Sequence, residues 1–206
     1  MASTATPVIA NVSRIVTKVV DRLTGDRSSY PLLVCLGAQL ALSKHGIDSR
    51  ILYGDVAWIE VLENHSVIWA GAWGEQFGFW VESEYSEVID LNTSVAHRHK
   101  DLKNPDHKPL YSPPILWSSD VPKFYRYRPT GIAEIGALPE RDQKWLAVLN
   151  DEIDQKCTKN LLLGDKEEFP NEPIICPGKK LLDDTQKTFL LYDRALSVVG
   201  IPQSPF

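Results

Sequence analysis

Three cysteines are the side chains of this chain most easily converted into nucleophiles: Cys35, Cys157 and Cys176. Their number is odd, their spacing is wide and they form no C-x-x-C pair, which argues against a disulfide framework and against a tetrathiolate metal site. Cys35 lies in the apolar run from Leu32 to Leu42. A free cysteine in such a run usually packs in a core. A catalytic Cys35 would need a nearby base, and that base would need a carboxylate to orient it.

Asp90 is a carboxylate that could orient such a base, because it falls in a predicted hairpin. Two runs rich in β-branched and aromatic residues, 77–82 and 87–91, predict a hairpin. If Ser83-Glu84-Tyr85 is the loop, position 82 faces 86, position 80 faces 88 and position 78 faces 90. Facing residues have Cβ atoms roughly 5 Å apart, so an imidazole at position 78 would be oriented by Asp90. Residue 78 is Gly78, which typically marks a bulge or a close approach of another group.

Other histidines are alternative bases, because the reach of the imidazole to the sulfur matters more than its position in the sequence. The candidates are His65, His97 and His99. On a strand, the His97-x-His99 pair would place both rings on one side and could hold zinc together with Asp106 or His107. The neighbouring Arg98 and Lys100 favour a solvated basic segment instead. We therefore expect no metal and no cofactor.

Four tryptophans fall in or near the predicted strands and allow two interpretations: Trp58, Trp69, Trp73 and Trp80. They could line a groove for an extended ligand, for which Trp73 and Trp80 are the candidates. Tryptophans on a sheet more often pack in the core or across strands.

The elements that would position these residues begin with two helices. Apolar residues recur at three- and four-residue steps from Val8 to Leu23, after Thr6-Pro7, and predict an amphipathic helix. A second helix is predicted from Pro31 through the run to Leu42, with a stop at His45-Gly46. Because it is apolar around most of its circumference, we expect it to be the central helix.

An antiparallel meander is predicted next, from segments 50–61, 66–71, 77–82 and 87–91. Residues 103–129 are rich in proline and tyrosine, with edge strands expected at 115–117 and 121–127. Further helices are predicted at 139–157 and 184–199, and a covering loop at 161–180. The sequence thus predicts one α+β domain over residues 1–206: a central apolar helix packed on an antiparallel sheet, with additional N- and C-terminal helices.

Composition argues against several classes of function. The formal net charge is −5 and no basic cluster could neutralise a phosphate backbone, so no nucleic acid partner is expected. The longest apolar run, Leu32 to Leu42, is too short to cross a bilayer and no secretory signal precedes it, so we expect no membrane partner and a cytoplasmic location. No phosphate-binding loop, dinucleotide fingerprint or serine-hydrolase elbow occurs.

The stretch from Tyr30 to Asn92 resembles the papain/transglutaminase-like superfamily, also described as cysteine peptidase-like. The resemblance lies in an apolar helix containing Cys35, a segment His45-Gly46-Ile47-Asp48-Ser49-Arg50, a strand Ile51-Leu52-Tyr53-Gly54, and a hairpin with Phe79-Trp80-Val81-Glu82 and Val88-Ile89-Asp90-Leu91-Asn92. It implies a nucleophilic cysteine on the helix, a histidine just before the aromatic-Trp step, and an aspartate or asparagine on the second hairpin strand.

Mapped onto this chain, those roles fall on Cys35, position 78 and Asp90. The usual place of the nucleophile is about one helical turn earlier, near Pro31, and position 78 is glycine. We therefore expect a non-catalytic member with a degenerate site, binding a small molecule, a peptide or a partner in the remaining cleft. The alternative is an active thiol-dependent amidase, peptidase or acyl transferase, with Cys35 as nucleophile and a histidine such as His65 as base. The sequence does not indicate the oligomeric state.

Overall fold

The computed structural model describes residues 2–64, 66–99, 109–111, 113–163, 170, 172–177 and 203–206. Its helices are α1 (Thr6–Thr24), α2 (Pro31–Lys44) and α3 (Glu140–Leu163), with 3-10 turns at Arg27–Ser29 and Thr93–Arg98. Its strands are β1 (Ser49–Leu62), β2 (Val67–Ala72), β3 (Gly78–Ser83), β4 (Val88–Asp90), β5 (Pro109–Tyr111), β6 (Ile115–Ser118), β7 (Tyr125–Ile132) and β8 (Ile174–Ile175). The predicted α+β class is confirmed.

The central position of α2 is also confirmed. This helix contacts α1, α3, β1 and β3, and the residues it buries lie all around its axis, as its uniformly apolar sequence predicts. Helix α1 ends at Gly25, which adopts a left-handed φ of 79° and donates its N–H to the carbonyl of Asp21 at 2.8 Å. The helix predicted at 139–157 continues to Leu163. The helix predicted at 184–199 lies outside the described residues.

All but one of the sheet's pairings among the described residues are antiparallel, and most of them involve β1. Strand β3 pairs with residues 49–54 of β1 and β2 pairs with residues 56–61, so β2 and β3 follow one another along the same edge of β1. Strand β7 pairs with residues 52–58 along the opposite edge. The hairpins β1–β2 and β3–β4 were predicted, but the simple meander was wrong because β2 and β3 both pair with β1.

The C-terminal strands correct two further expectations. The edge strand expected at 121–127 begins and ends later, as β7. The segment 161–180, expected to be a loop, includes the end of α3 and the short strand β8. Strand β8 pairs with β6 in parallel, so the sheet is not wholly antiparallel.

Between β2 and β3 the chain makes a five-residue departure from the ladder, which we call the 73–77 excursion. Ala72 lies opposite Val56 and Gly78 lies opposite Gly54, so residues 73–77 face the single residue Asp55. The Asp55 carboxylate accepts the Gly74 N–H at 3.1 Å and the Arg128 Nε–H at 2.8 Å. This carboxylate therefore ties the excursion to β7.

The β3–β4 hairpin has a different register from the predicted one. Val81 pairs with Ile89 and Glu82 pairs with Val88, two residues away from the expected pairing. Ser86 adopts a left-handed φ of 59° and closes a loop at 84–86, one residue later than expected, and a one-residue shift of the loop moves the register by two. Continued by one residue beyond Val81 and Ile89, this register places Trp80 opposite Asp90. The predicted pairing of position 78 with Asp90 was therefore wrong.

Strand β4 is held at its start by the buried carboxylate of Glu87. Its oxygens accept hydrogen bonds from the Thr4 N–H at 3.0 Å, the Thr4 hydroxyl at 2.6 Å, the Ser83 hydroxyl at 2.9 Å and the Trp117 indole N–H at 3.2 Å. These contacts join the N-terminal segment, the hairpin loop and β6. They fix the strand that carries Asp90.

Among the described residues, no helix combines the length and the apolar character needed to cross a bilayer.

Candidate functional site

A cavity of about 490 Å³ opens at the N-terminal end of α2, and we call it the α2 cavity. Its wall is formed by the 3-10 turn 27–29, the first turns of α2, residues 56 and 58 of β1, the end of the 73–77 excursion with the start of β3, the end of β4, and the turn 93–98 with His99. Gln76 and Phe77, at the end of the 73–77 excursion, lie on this wall, so the irregular part of the sheet helps to form the cavity.

Three positions singled out by the sequence meet at this cavity. Pro31, Gly78 and Asp90 all line it. These are the positions at which the superfamily resemblance implies the nucleophile, the base and the orienting carboxylate. Of the three residues present, only Asp90 has an ionisable side chain.

The Asp90 carboxylate lies at the end of β4 and its residue is only 7% exposed. One oxygen accepts the Asn92 N–H at 2.9 Å and the other accepts the Tyr127 hydroxyl at 2.9 Å. Burial raises the pKa of Asp90 from 3.8 to about 6, against the opposing effect of these hydrogen bonds and of Arg27. No cation among the described residues forms an ion pair with it.

The Cys35 sulfur lies beside this site without lining the α2 cavity. The residue is 5% exposed and belongs to the apolar cluster shared by α1, α2 and the sheet. Burial, and secondarily the nearby Asp90 carboxylate, raise the pKa of the Cys35 thiol well above its usual value. The structure therefore brings Cys35 and Asp90 near one another but keeps the sulfur protonated at neutral pH.

The space expected for a base at position 78 is occupied. A Cβ added to Gly78 would overlap the Val56 side chain, which projects from β1. A histidine at this position would therefore overlap β1, and the observed register would not place it opposite Asp90. Gly78 permits the close approach of β1 and β3, which is the ordinary role of a glycine in a strand.

Two buried polar atoms in the cavity wall lack hydrogen-bond partners among the described residues. They are the Ser28 hydroxyl oxygen and the Asn92 Oδ1. Asn92 donates its Nδ2 to the Ser28 carbonyl at 3.3 Å, which fixes the orientation of the amide. Buried polar groups are normally paired, so the two atoms mark a place where a ligand could supply partners. The sequence signals neither of them, because the turn 27–29 and the end of β4 are about 60 residues apart.

Arg27 holds the turn that carries Ser28. The guanidinium is buried and donates to the Asp21 carboxylate, the Leu91 carbonyl at 3.2 Å, the Ser94 hydroxyl at 2.9 Å and the Glu172 carboxylate at 2.6 Å. Its charge is therefore directed to partners other than Asp90. This arrangement fastens the 27–29 turn to the turn 93–98.

The structure places one of the three candidate histidines on the wall of the α2 cavity. His99 lines the α2 cavity, and His65 lies outside the described residues. His97 lies in the turn 93–98, so the His97-x-His99 pair is not on a strand. Burial lowers the pKa of His97, with a smaller contribution from Arg98. Asp106 and His107 are outside the described residues, and the part of the chain that is described holds no group of three potential metal ligands.

Neither of the two candidate tryptophans lines the α2 cavity. Trp80 is buried, and its ring packs edge-on against Tyr127 with centroids 5.1 Å apart. Trp73 lies in the 73–77 excursion and is 38% exposed. A third tryptophan, Trp58 of β1, does line the cavity, and its indole N–H donates to Glu60 at 3.0 Å.

A second group of thiol, amide and imidazole occurs between α1, α2 and α3. Asn11 Nδ2 lies 3.8 Å from the Cys157 sulfur and 3.4 Å from His45 Nε2. Burial raises the pKa of Cys157, and it lowers that of His45. None of these residues lines the α2 cavity. We interpret this group as packing between helices.

Comparison with known proteins leaves the family open. No protein-family model matches the chain, and no curated protein is significantly similar to it. A crystal structure of a protein described only as a genomics target aligns with 87% of this chain and 84% of its own, at 15% identity and a TM-score of 0.42. Similarity at this level carries no argument about function.

Proposed function

We propose that this chain is a ligand-binding protein on a papain/transglutaminase-like core, and that it binds a small molecule in the α2 cavity without thiol catalysis. The observation that carries this proposal is the convergence of Pro31, Gly78 and Asp90 on one cavity. The positions that the resemblance assigns to a nucleophile and a base both lie on this cavity, and they hold residues that can serve as neither.

The cavity has the properties of a binding site for a small molecule. Its volume of about 490 Å³ lies within the range of roughly 300–1,000 Å³ that is usual for such sites. Most of its wall is apolar, and a few polar groups converge at one end: Ser28, Asp90 and Asn92. Apolar walls with a small number of placed polar groups are the usual composition of such sites.

An active thiol enzyme requires features that Cys35 does not have in this structure. Nucleophilic cysteines need a depressed pKa and access to the substrate. The pKa of Cys35 is raised and its sulfur lies in the apolar cluster. His99 is the histidine on the described cavity wall, but the sulfur it would have to activate is not on that wall. We therefore do not propose Cys35 as a nucleophile.

A binding experiment with a blocking variant tests the proposal. Indole is a suitable probe because it has an aromatic body and one N–H donor. We expect saturable chemical-shift changes in the labelled chain on titration with indole, with a Kd of about 1 mM. Ser29→Trp, at the rim of the cavity, should weaken this binding at least tenfold. The matched control Ser43→Trp, at the other end of α2, should bind indole normally. Indole binding that ignores Ser29→Trp would refute the site.

Alkylation tests the absence of thiol chemistry. At each pH from about 6 to about 9, iodoacetamide should modify Cys35 in the folded chain far more slowly than in the urea-unfolded chain. Peptide mass spectrometry separates Cys35 from Cys157 and Cys176, which are also buried. Rapid modification of folded protein near neutral pH would restore the enzyme alternative.

A further inference from the structure

We infer that the ligand of the α2 cavity is a protonated amine with an apolar body, its ammonium group bound between Asp90 and Asn92. This inference rests on the proposed function and names the chemical class that the site selects. It follows from the charges, the acceptors and the aromatic surfaces of the wall.

The charge of the described wall is negative. Asp90 and Asp142 line the cavity, and no lysine or arginine lines it among the described residues. Asp142 is paired with Arg141 at 3.1 Å, so the net negative charge of the wall comes from Asp90. The nearest influential cation, Arg27, has its donors engaged by Asp21, Leu91, Ser94 and Glu172. The N-terminal end of α2 favours anions, but the Asp90 carboxylate on the same wall would repel an anionic ligand, whereas a cation would gain a partner for this buried carboxylate.

The polar end of the cavity offers acceptors. Asn92 Oδ1 is a buried acceptor with no partner among the described residues, and its amide donor is used by the Ser28 carbonyl. The Asp90 carboxylate has about four lone-pair positions, of which the Asn92 N–H and the Tyr127 hydroxyl occupy two and the Thr93 N–H uses a third. An ammonium group carries three donors and no acceptor, so it matches these free positions and the Ser28 hydroxyl oxygen.

The aromatic and apolar part of the cavity wall can contact the apolar body of such a ligand. The aromatic rings of Tyr30, Trp58, Phe77 and Phe79 line the cavity together with Leu33. Aromatic faces attract cations, and the same surfaces bury an apolar body. A small hydrophilic cation would leave these surfaces without a partner.

Binding should depend on the ionisation of Asp90, since a neutral carboxyl cannot pair with ammonium. Burial raises the pKa of Asp90 to about 6, so affinity for an amine should fall below that pH. The groups that influence this carboxyl are Tyr127 from β7, Cys35 from α2 and Arg27 from the first 3-10 turn. His99 is a further titratable group on the wall.

The test compares matched probes on the full chain. Calorimetric titration at about pH 7.5 would use 2-phenylethylamine and its neutral counterpart 2-phenylethanol. We expect the amine to bind at least tenfold more tightly than the alcohol. Asp90→Asn should remove this preference and leave alcohol binding within about twofold, because the variant keeps the shape of the side chain and loses its charge. Asp120→Asn, at an exposed turn, controls for the loss of a surface carboxylate.

The outcomes separate the two proposals. If both probes bind equally and Ser29→Trp blocks both, the amine inference is wrong and the binding site stands. If neither probe binds, or if Ser29→Trp blocks neither, both proposals fail. If the amine is preferred but Asp90→Asn keeps that preference, the assigned carboxylate is wrong. Should Asp90→Asn fold poorly, the amine-to-alcohol preference of the native chain below about pH 5 gives the same answer, since it must disappear there.

Discussion

Replacing Asp90 by asparagine should make the folded chain more stable, and more so as the pH rises. The buried carboxyl has a pKa of about 6 in the folded chain, compared with 3.8 for the exposed group. A raised pKa in the folded state means that the protonated form is favoured by folding. The stability that this form contributes is fully present below about pH 4 and is lost as the pH rises through about 6.

The magnitude follows from the two pKa values. Their difference corresponds to about 3 kcal/mol at roughly 1.4 kcal/mol per pH unit. About 2 kcal/mol of this should fall between about pH 4 and about pH 8. The amide introduced by Asp90→Asn stays neutral, and the hydrogen bonds with Asn92 and Tyr127 can be kept. The advantage of the variant should therefore grow by about 2 kcal/mol across this window.

Urea unfolding followed by tryptophan fluorescence measures this difference. The free energy of unfolding of both proteins would be extrapolated at each pH, with Asp120→Asn as the control for a surface carboxylate. A difference between wild type and Asp90→Asn that stays constant from about pH 4 to about pH 8 would refute the reasoning. It would mean that the carboxyl is solvated, and the amine inference would lose its buried charge.

Three other changes have expected outcomes. Gly78→His should destabilise the chain by about 1–3 kcal/mol in urea unfolding, because the new Cβ overlaps Val56, and activity against thioester or amide substrates should not appear. Glu87→Ala should cost about 2–4 kcal/mol, since it leaves the Thr4, Ser83 and Trp117 donors unpaired, and limited proteolysis should then release the N-terminal residues. The pKa of Asp55 is lowered by its hydrogen bond with Arg128, so wild type should lose stability relative to Asp55→Asn as the pH falls below about 4; a difference that does not change with pH would contradict this.

The broad arrangement of the fold could be predicted because it depends on local pattern. The uniformly apolar sequence of α2 predicts a central helix, and the β-rich runs predict β1, β2, β3 and β4. The pairing of β2 and β3 with the same edge of β1 could not be predicted in this way. It depends on the 73–77 excursion, which is held by contacts from Asp55 to Gly74 and Arg128, residues distant in the sequence.

The site was predicted in part. The sequence pointed to the end of the hairpin and to the start of α2, and residues 31, 78 and 90 do line one cavity. The predicted hairpin register was wrong because Ser86, a serine with left-handed φ, closes the loop one residue later than predicted. The polar partners Ser28 and Asn92 carry no pattern of their own, since their significance arises only where two distant turns meet.

The pairing of strand β1 on both of its edges affects the order in which parts of this molecule unfold. Residues 52–54 and 56–58 pair with strands on both edges, so the amides of this stretch should be among the slowest to exchange with deuterated solvent. Val56 and Trp58, the floor of the α2 cavity, belong to this stretch. Partial unfolding that detaches the helices or the outer strands would leave Val56 and Trp58 in their folded positions. The part of the α2 cavity that β1 forms, where we propose that the ligand binds, thus belongs to the last region expected to unfold.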